Sequence, residues 1–244
     1  MAIESTLRGI FFDAGNTLLY PRVEELAQEL TAAGFPATVA DFHAAERAAK
    51  KKFDEWLWPL LERGEVPAAV DRLYWTEYLH ALMDCIHVPV DQHGAISERV
   101  IERFRDIQFW SRVFPDTEPM LRWLRDAGYY LGVISNSVGT MEQQLSRVGL
   151  APYFRIILDS AVVGVEKPHR EIFQMAIDKA AISPAEALFI GDTYATDVGG
   201  ARRAGLQGVL MDRFGIYDDG LDYPRLRSLD ELRPLLAGHG NQAG

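Results

Sequence analysis

The sequence predicts an α/β fold with a Rossmann-like parallel-sheet core, helices on both of its faces, and an all-helical insertion after the first strand. Three observations predict it. After Pro115, short apolar runs alternate with helical-period segments at the pace of a parallel sheet covered on both faces. Between Val23 and Trp110 the apolar residues repeat only at helical spacing. Finally, several apolar runs stop on polar residues, notably Asp13, Ser135 and Asp192.

The elements follow in order. Gly9-Ile10-Phe11-Phe12 is a four-residue apolar run, read as a buried strand, and Asp13-Ala14-Gly15-Asn16 is the loop that ends it. Val23, Leu26, Ala27 and Leu30 repeat at helical spacing. The same holds for Phe42, Ala45, Ala49, Phe53 and Trp56, and for Leu73, Tyr78, Leu79 and Leu82. Residues 118–127 read as a helix stopped by Gly128, and 129–134 as a strand. Residues 141–148 read as a helix stopped by Gly149, and 155–158 as a short strand. Residues 169–181 form a helix with Pro168 at its start. Ser183-Pro184-Ala185-Glu186 resembles a capping box that begins only a brief turn. Then come a strand over 187–190, a helix over 198–204 stopped by Gly205, and a strand over 207–211. The simplest division is a core of residues 1–17 and 112–244, with a helical insertion of residues 18–111. Residues 238–244 read as a frayed tail.

Composition narrows the function classes. The chain has 244 residues, 48% hydrophobic and 25% charged, which suffices for a sizeable core. The formal net charge of −10 argues against nucleic acid or an anionic membrane as partner. A phosphorylated substrate would need cations of the site's own. One cysteine, Cys85, excludes an internal disulfide framework and fits a reducing compartment. No apolar stretch approaches the roughly 20 residues that span a bilayer. Residues 1–12 lack the layout of a signal peptide, because Arg8 interrupts them. The expected location is cytoplasmic. Oligomeric state is not legible.

In an open parallel sheet, ligands bind beyond the carboxyl ends of the strands. Asp13, Ser135 and Asp192 each end an apolar strand, and Lys167 follows the run Val162-Val163-Gly164-Val165 just before a helix. Two carboxylates, a hydroxyl and an amine are therefore expected to converge. Carboxylates brought together repel unless a cation lies between them, and oxygen ligands of this kind suit Mg²⁺. A lysine and a serine beside it can hold phosphoryl oxygens. A carboxylate at the end of the first strand can attack as a nucleophile and form an acyl-phosphate.

Four motifs carry a family resemblance. Phe11-Phe12-Asp13-Ala14-Gly15-Asn16-Thr17-Leu18 resembles the first motif of the haloacid dehalogenase-like hydrolase superfamily. Ile134-Ser135-Asn136 resembles the second, Gly164-Val165-Glu166-Lys167-Pro168 the third, and the segment from Ile190-Gly191-Asp192 to Asp197 the fourth. All four stand in family order, and the helical insertion resembles the family's cap domain placed after the first motif. The resemblance implies Asp13 as nucleophile and metal ligand. It gives the Gly15 carbonyl and Asp192 as further Mg²⁺ ligands, and Asp197 as a residue that binds or orients a metal-bound water. Ser135 and Lys167 would hold the phosphoryl oxygens, supported by Asn136 and Thr17, and the substrate would be a small phosphorylated metabolite.

One position departs from the pattern. Phosphatases of the superfamily carry a second aspartate two residues after the nucleophile, which protonates the leaving group and then activates water. Here that residue is Gly15, and losing a positioned acid–base typically costs about 10²–10⁴-fold in rate. The expected activity is phosphatase-type hydrolysis of substrates with good leaving groups, or with an acid supplied from the cap or by water. The alternatives are a 2-haloacid dehalogenase, against which Asp192 speaks, a phosphonatase-like enzyme using a cap lysine, or a catalytically impaired binding member. Lys50, Lys51 and Lys52 are adjacent and read as a solvated helix face, so no single cap lysine stands out. Arg22 is a candidate to reach an anionic substrate from the cap hinge. Hinges are expected near residues 18–22 and 110–114. The insertion's aromatics read mostly as cap core, with one or two left to line a pocket. Cys85 reads as a packed residue, and the six histidines show no zinc-ligand spacing.

Overall fold

A computed structural model describes residues 7–217 and 223–237; the tail expectation for 238–244 lies outside them. In chain order the strands are β1 Gly9–Phe12, β2 Leu19–Tyr20, β3 Arg112–Val113, β4 Tyr130–Ser135, β5 Ile156–Asp159, β6 Ala187–Gly191, β7 Gln207–Met211 and β8 Arg225–Leu226. The helices are α1 Val23–Ala32, α2 Val39–Glu62, α3 Val70–Cys85, α4 His93–Arg105, α5 Thr117–Asp126, α6 Met141–Arg147, α7 Ser160–Val163, α8 Arg170–Ala180, α9 Gly200–Arg203 and α10 Leu232–Ala237.

Six strands form one parallel sheet in the order β5-β4-β1-β6-β7-β8. Side chains alternate along a strand, and each central strand sends its apolar residues both ways. Ile10, Phe12, Leu131, Val133, Leu188 and Ile190 meet α5, α6 and α10 on one face. Phe11, Ile134 and Phe189 meet α8 and α9 on the other. That is why the strands read as nearly unbroken apolar runs. Gly128 and Gly149 adopt left-handed backbone after α5 and α6, where a side chain would be strained.

The α1–α4 segment has a core of its own, built from Leu26, Leu30, Phe42, Ala45, Ala49, Tyr78, Leu82 and Val100 among others. It is therefore an all-helical cap. It joins the sheet domain through a two-stranded antiparallel ribbon, Leu19 opposite Val113 and Tyr20 opposite Arg112. This ribbon lies within both segments expected to hinge.

One reading of the chain needs correction, and one apolar run is placed by the structure: Val162-Val163-Gly164-Val165, before Lys167, forms the end of a helical turn and its exit. Asp159 accepts the Ala161 N–H and caps the single turn of α7, and Gly164 ends it in left-handed backbone. Trp56 and Leu73 belong to their helices but are 42% and 39% exposed, while Leu57 is buried in Trp56's place. No helix among the described residues is long and apolar enough to cross a membrane.

Candidate active site

β1 lies between β4 and β6, so the chain leaves the sheet in opposite directions on either side of it. At this switch point the carboxyl ends of three strands deliver Asp13, Ser135 and Asp192 to one cavity. Asp13 follows β1 directly, Ser135 closes β4, and Asp192 follows β6. The Lys167 side chain, almost fully buried, reaches the same point from the loop before α8.

The carboxylates of Asp13, Asp192 and Asp197 bring one oxygen each within 4.8 Å of one another. Lys167 bridges two of them: its Nζ donates to Asp13 Oδ1 at 2.6 Å and to Asp197 Oδ1 at 2.7 Å. Burial raises the Asp13 carboxyl to about 7; Lys167 opposes the rise, while the Asp197 and Asp192 charges add to it. Burial also raises Asp197, again against Lys167. For Lys167 burial opposes the charge, but the two carboxylates overcome it and hold the ammonium protonated above its ordinary range. Its ammonium also stands 5.1 Å from the centre of the Phe189 ring.

The supporting residues explain the local sequence. Gly191 has no side chain because a Cβ there would collide with the Asp197 carboxylate. Asp197 Oδ2 accepts the Thr193 N–H at 2.9 Å, which folds the fourth-motif loop back on itself. Asn136 locks the third motif: its Oδ1 accepts the Lys167 N–H at 2.8 Å and its Nδ2 donates to the Lys167 carbonyl at 3.1 Å. Its amide thus positions the lysine. Asp159, at the end of β5, accepts the Gly139 and Met141 N–H groups and shapes the loop after Ser135. The Thr17 side chain is fully buried and does not line the cavity. Its carbonyl accepts Arg213 Nε and Nη2, while Arg213 Nη1 grips Asp116, so this pair anchors the end of the first-motif loop.

The cap contributes a residue that the sequence reading put in solvent. Lys50 is 2% exposed. Its Nζ donates to Asp192 Oδ2 at 2.6 Å and to the Asp192 carbonyl at 3.0 Å, and lies 2.9 Å from Glu46 Oε1. Glu46 in turn accepts Asn16 Nδ2 at 2.8 Å, beside Gly15. Lys51 and Lys52 are exposed, as expected. Along the same helix Asp54 accepts the Ala195 N–H and the Tyr217 hydroxyl, both at 3.0 Å, and Trp58 stacks on Tyr194. α2 is thus docked along the whole fourth-motif loop. Helix α3 is tied in as well, since Glu166 Oε1 accepts the Val70 N–H at 2.6 Å beside Lys167.

Arg22 does not reach the cavity. It donates to Ser111 Oγ and pairs with Glu25, joining the two segments expected to hinge. Cys85 is half-buried against the helical core. The cavity holds about 770 Å³ and is walled on the cap side by Phe53, Tyr74, Trp75, Tyr78, Phe104 and Trp110. Asp71 also lines it, and burial raises its carboxyl to about 6, with Glu166 adding to the rise and Lys167 opposing it.

A family model described as haloacid dehalogenase-like hydrolase matches residues 7–205. Glyceraldehyde 3-phosphate phosphatase of Methanopyrus kandleri is 31% identical over 134 residues, 54% of this chain and 57% of that one. The chain thus spans little more than half the length of that phosphatase. Among solved structures, the HAD-hydrolase YfnB of Bacillus subtilis, bound to magnesium, superposes with a TM-score of 0.64 at 22% identity, covering 94% of this chain and 98% of that one. The 2-haloacid dehalogenase of Pseudomonas syringae pv. Tomato DC3000 does so with a TM-score of 0.56 at 23% identity, covering 95% and 99%. At such identities these two likenesses establish the fold alone.

Proposed function

We propose phosphoryl-ester hydrolysis through an aspartyl-phosphate on Asp13 as the activity of this chain, which belongs to the haloacid dehalogenase-like hydrolase family. One observation carries the proposal: the Asp13, Asp192 and Asp197 carboxylates gather within 4.8 Å, with the Lys167 ammonium on the first. Three hard oxygen donors so close together fit a divalent cation such as Mg²⁺, which binds carboxylates, water and phosphate oxygens. Asp13, Asp192 and the Gly15 carbonyl would hold it, with Asp197 at its water. When bound, it would offset charge developing on the phosphoryl group.

The chain's own groups supply the rest. Asp13 attacks phosphorus in line with the bond to the leaving oxygen, and that bond breaks as the new one forms. Lys167 and Ser135 hold the phosphoryl oxygens, while Asn136 keeps Lys167 in place. Water then attacks phosphorus, releasing inorganic phosphate and restoring the Asp13 carboxylate. Gly15 gives the leaving oxygen no proton, so we assign the enzyme a small phosphorylated metabolite with a good leaving group. We take residues 1–17 and 112–244 as the catalytic core and 18–111 as a cap that opens on the ribbon of β2 and β3. The single cysteine supports a cytoplasmic setting.

A phosphate-release panel with Mg²⁺ and with chelator tests this, with Asp13→Asn as control. Turnover is expected only with the metal and only with Asp13. Halide release from a 2-haloacid that persists in chelator would replace the proposal with dehalogenase chemistry.

A second reading has one observation in its favour. Lys50 is a cap lysine buried beside the nucleophile's partners, as phosphonatase-type cleavage of a carbon–phosphorus bond requires. Such cleavage needs a neutral amine that forms an imine, whereas against its burial Asp192 and Glu46 hold Lys50 as an ammonium. Borohydride trapping of an aldehyde phosphonate on Lys50 would favour it, and absence of the adduct would leave phosphate-ester hydrolysis.

A further inference from the structure

The residue two after the nucleophile is glycine, and the structure shows what stands in the vacated space. A Cβ built on Gly15 would lie 3.1 and 3.2 Å from two atoms of the Trp110 six-membered ring, and 4.0 Å from Asp13 Oδ2. The indole therefore crowds the first atom of any side chain placed at residue 15. It is fixed there. Trp110 Nε1 donates to the Phe104 carbonyl at 2.9 Å, and the Phe104 ring packs edge-on against the indole at 5.8 Å. Trp110 also lies two residues before β3, so it enters the site at the hinge. From it the cavity wall continues through Phe104, Trp75 and Tyr74.

In an in-line displacement the leaving oxygen departs opposite the attacking Asp13 oxygen, within the cavity that Trp110, Phe104 and Trp75 line. Indole atoms crowd residue 15, and that residue offers no acid. Two requirements on the leaving group follow, from independent features. It departs without a proton from residue 15, which has none to give. It must also bind to a face that offers stacking and dispersion. A phenyl ester satisfies both: its leaving group is an aryloxide, whose conjugate acid, the phenol, has a pKa of roughly 10, against roughly 16 for water.

We propose that Trp110 determines the specificity of this site and that the substrate is a phosphate ester of an aromatic alcohol. The inference rests on the phosphatase reading above. The phosphorus–oxygen bond breaks with its electron pair going to the aryloxide, which takes its proton from solvent. Water then hydrolyses the Asp13 acyl-phosphate.

The test compares phenyl phosphate with cyclohexylmethyl phosphate, an apolar ester of similar size, and adds ring-substituted phenyl phosphates of graded acidity. The expected result is a phenyl-over-cyclohexylmethyl preference in kcat/KM and rates that rise steeply with leaving-group acidity. Trp110→Ala is expected to shrink the preference about tenfold, the loss of one aromatic pair. Trp110→Phe, which keeps a ring and guards against misfolding of the alanine variant, is expected to retain most of it. Asp71 is one of the acids on the cavity wall, with Glu24, Glu46 and Glu166, and Asp71→Asn is expected to leave the slope against acidity as it was. Equal kcat/KM for the two esters, a preference undiminished in Trp110→Ala, or a slope that steepens in Asp71→Asn would overturn the inference. Those outcomes spare the hydrolase reading; absence of Asp13-dependent turnover on every ester would overturn both.

Discussion

Replacing Lys50 by methionine keeps the side chain's length and removes its charge. The ammonium makes three close polar contacts, with Asp192 Oδ2, the Asp192 carbonyl and Glu46 Oε1, and its side chain is only 3% exposed. Without it, four carboxylates (Asp13, Asp192, Asp197 and Glu46) would face one ammonium, that of Lys167. Removing one partner of a buried ion pair costs about 3–5 kcal/mol, because the other charge stays desolvated. The Asp192 and Glu46 side chains keep 12% and 10% exposure, which favours the lower end, about 3 kcal/mol. For a chain of this size that corresponds to a fall in Tm of about 6–12 °C. Urea unfolding and thermal melting followed by circular dichroism read it directly. Adding Mg²⁺ is expected to restore more stability to the variant than to the parent, since the cation no longer competes with an ammonium for Asp192. A loss below about 1 kcal/mol, with equal metal responses, would refute the placing of Lys50 in this charge cluster.

Gly15→Asp is expected to give little gain on alkyl phosphates by itself, because its Cβ would press on the Trp110 ring at 3.1 Å; coupling it to Trp110→Ala should raise turnover, as alkyl phosphate kinetics will read. Asp71 has a folded-state pKa raised from 3.8 to about 6, so its protonated form contributes stability below the unfolded value that is lost as pH rises through about 6. Asp71→Asn should therefore stabilise the protein more at about pH 8 than at about pH 4, by about 1–3 kcal/mol, in paired urea titrations. Asp116 and Arg213 are nearly buried, at 10% and 6% side-chain exposure, and Asp116 also accepts from Ser228 Oγ and the Leu229 N–H. Asp116→Ala should cost about 3–5 kcal/mol in urea unfolding.

Much of the sheet was legible because β1, β4, β6 and β7 are buried on both faces and read as apolar runs bounded by glycine and polar residues. Placing ligands at the ends of those strands then located Asp13, Ser135 and Asp192. Lys50 escaped because a run of three lysines looks solvated. The available signal was the spacing: Glu46, Lys50 and Asp54 recur every four residues on the side of α2 that buries Phe42, Ala49, Phe53 and Leu57. Charges on an apolar stripe must find partners across the interface, and these found Asp192 and the N–H of Ala195. Trp110 could not be read, since its crossing over Gly15 depends on how the ribbon of β2 and β3 sets the hinge. Likewise, nothing near Glu166 marks it as the acceptor for the start of α3, 96 residues away. β8 pairs through only two residues and left no pattern. The first-motif loop shows the reverse case: Thr17 belongs to a motif, yet its buried carbonyl serves Arg213.

The central claim is that Asp13 is the nucleophile. Enzyme quenched in acid during turnover of an aryl phosphate, digested and mapped by mass spectrometry, tests it most directly. A phosphoryl group is expected on the peptide that contains Asp13, with neither label nor turnover in Asp13→Asn. A phosphoryl group on another residue, or undiminished turnover by Asp13→Asn, would contradict it.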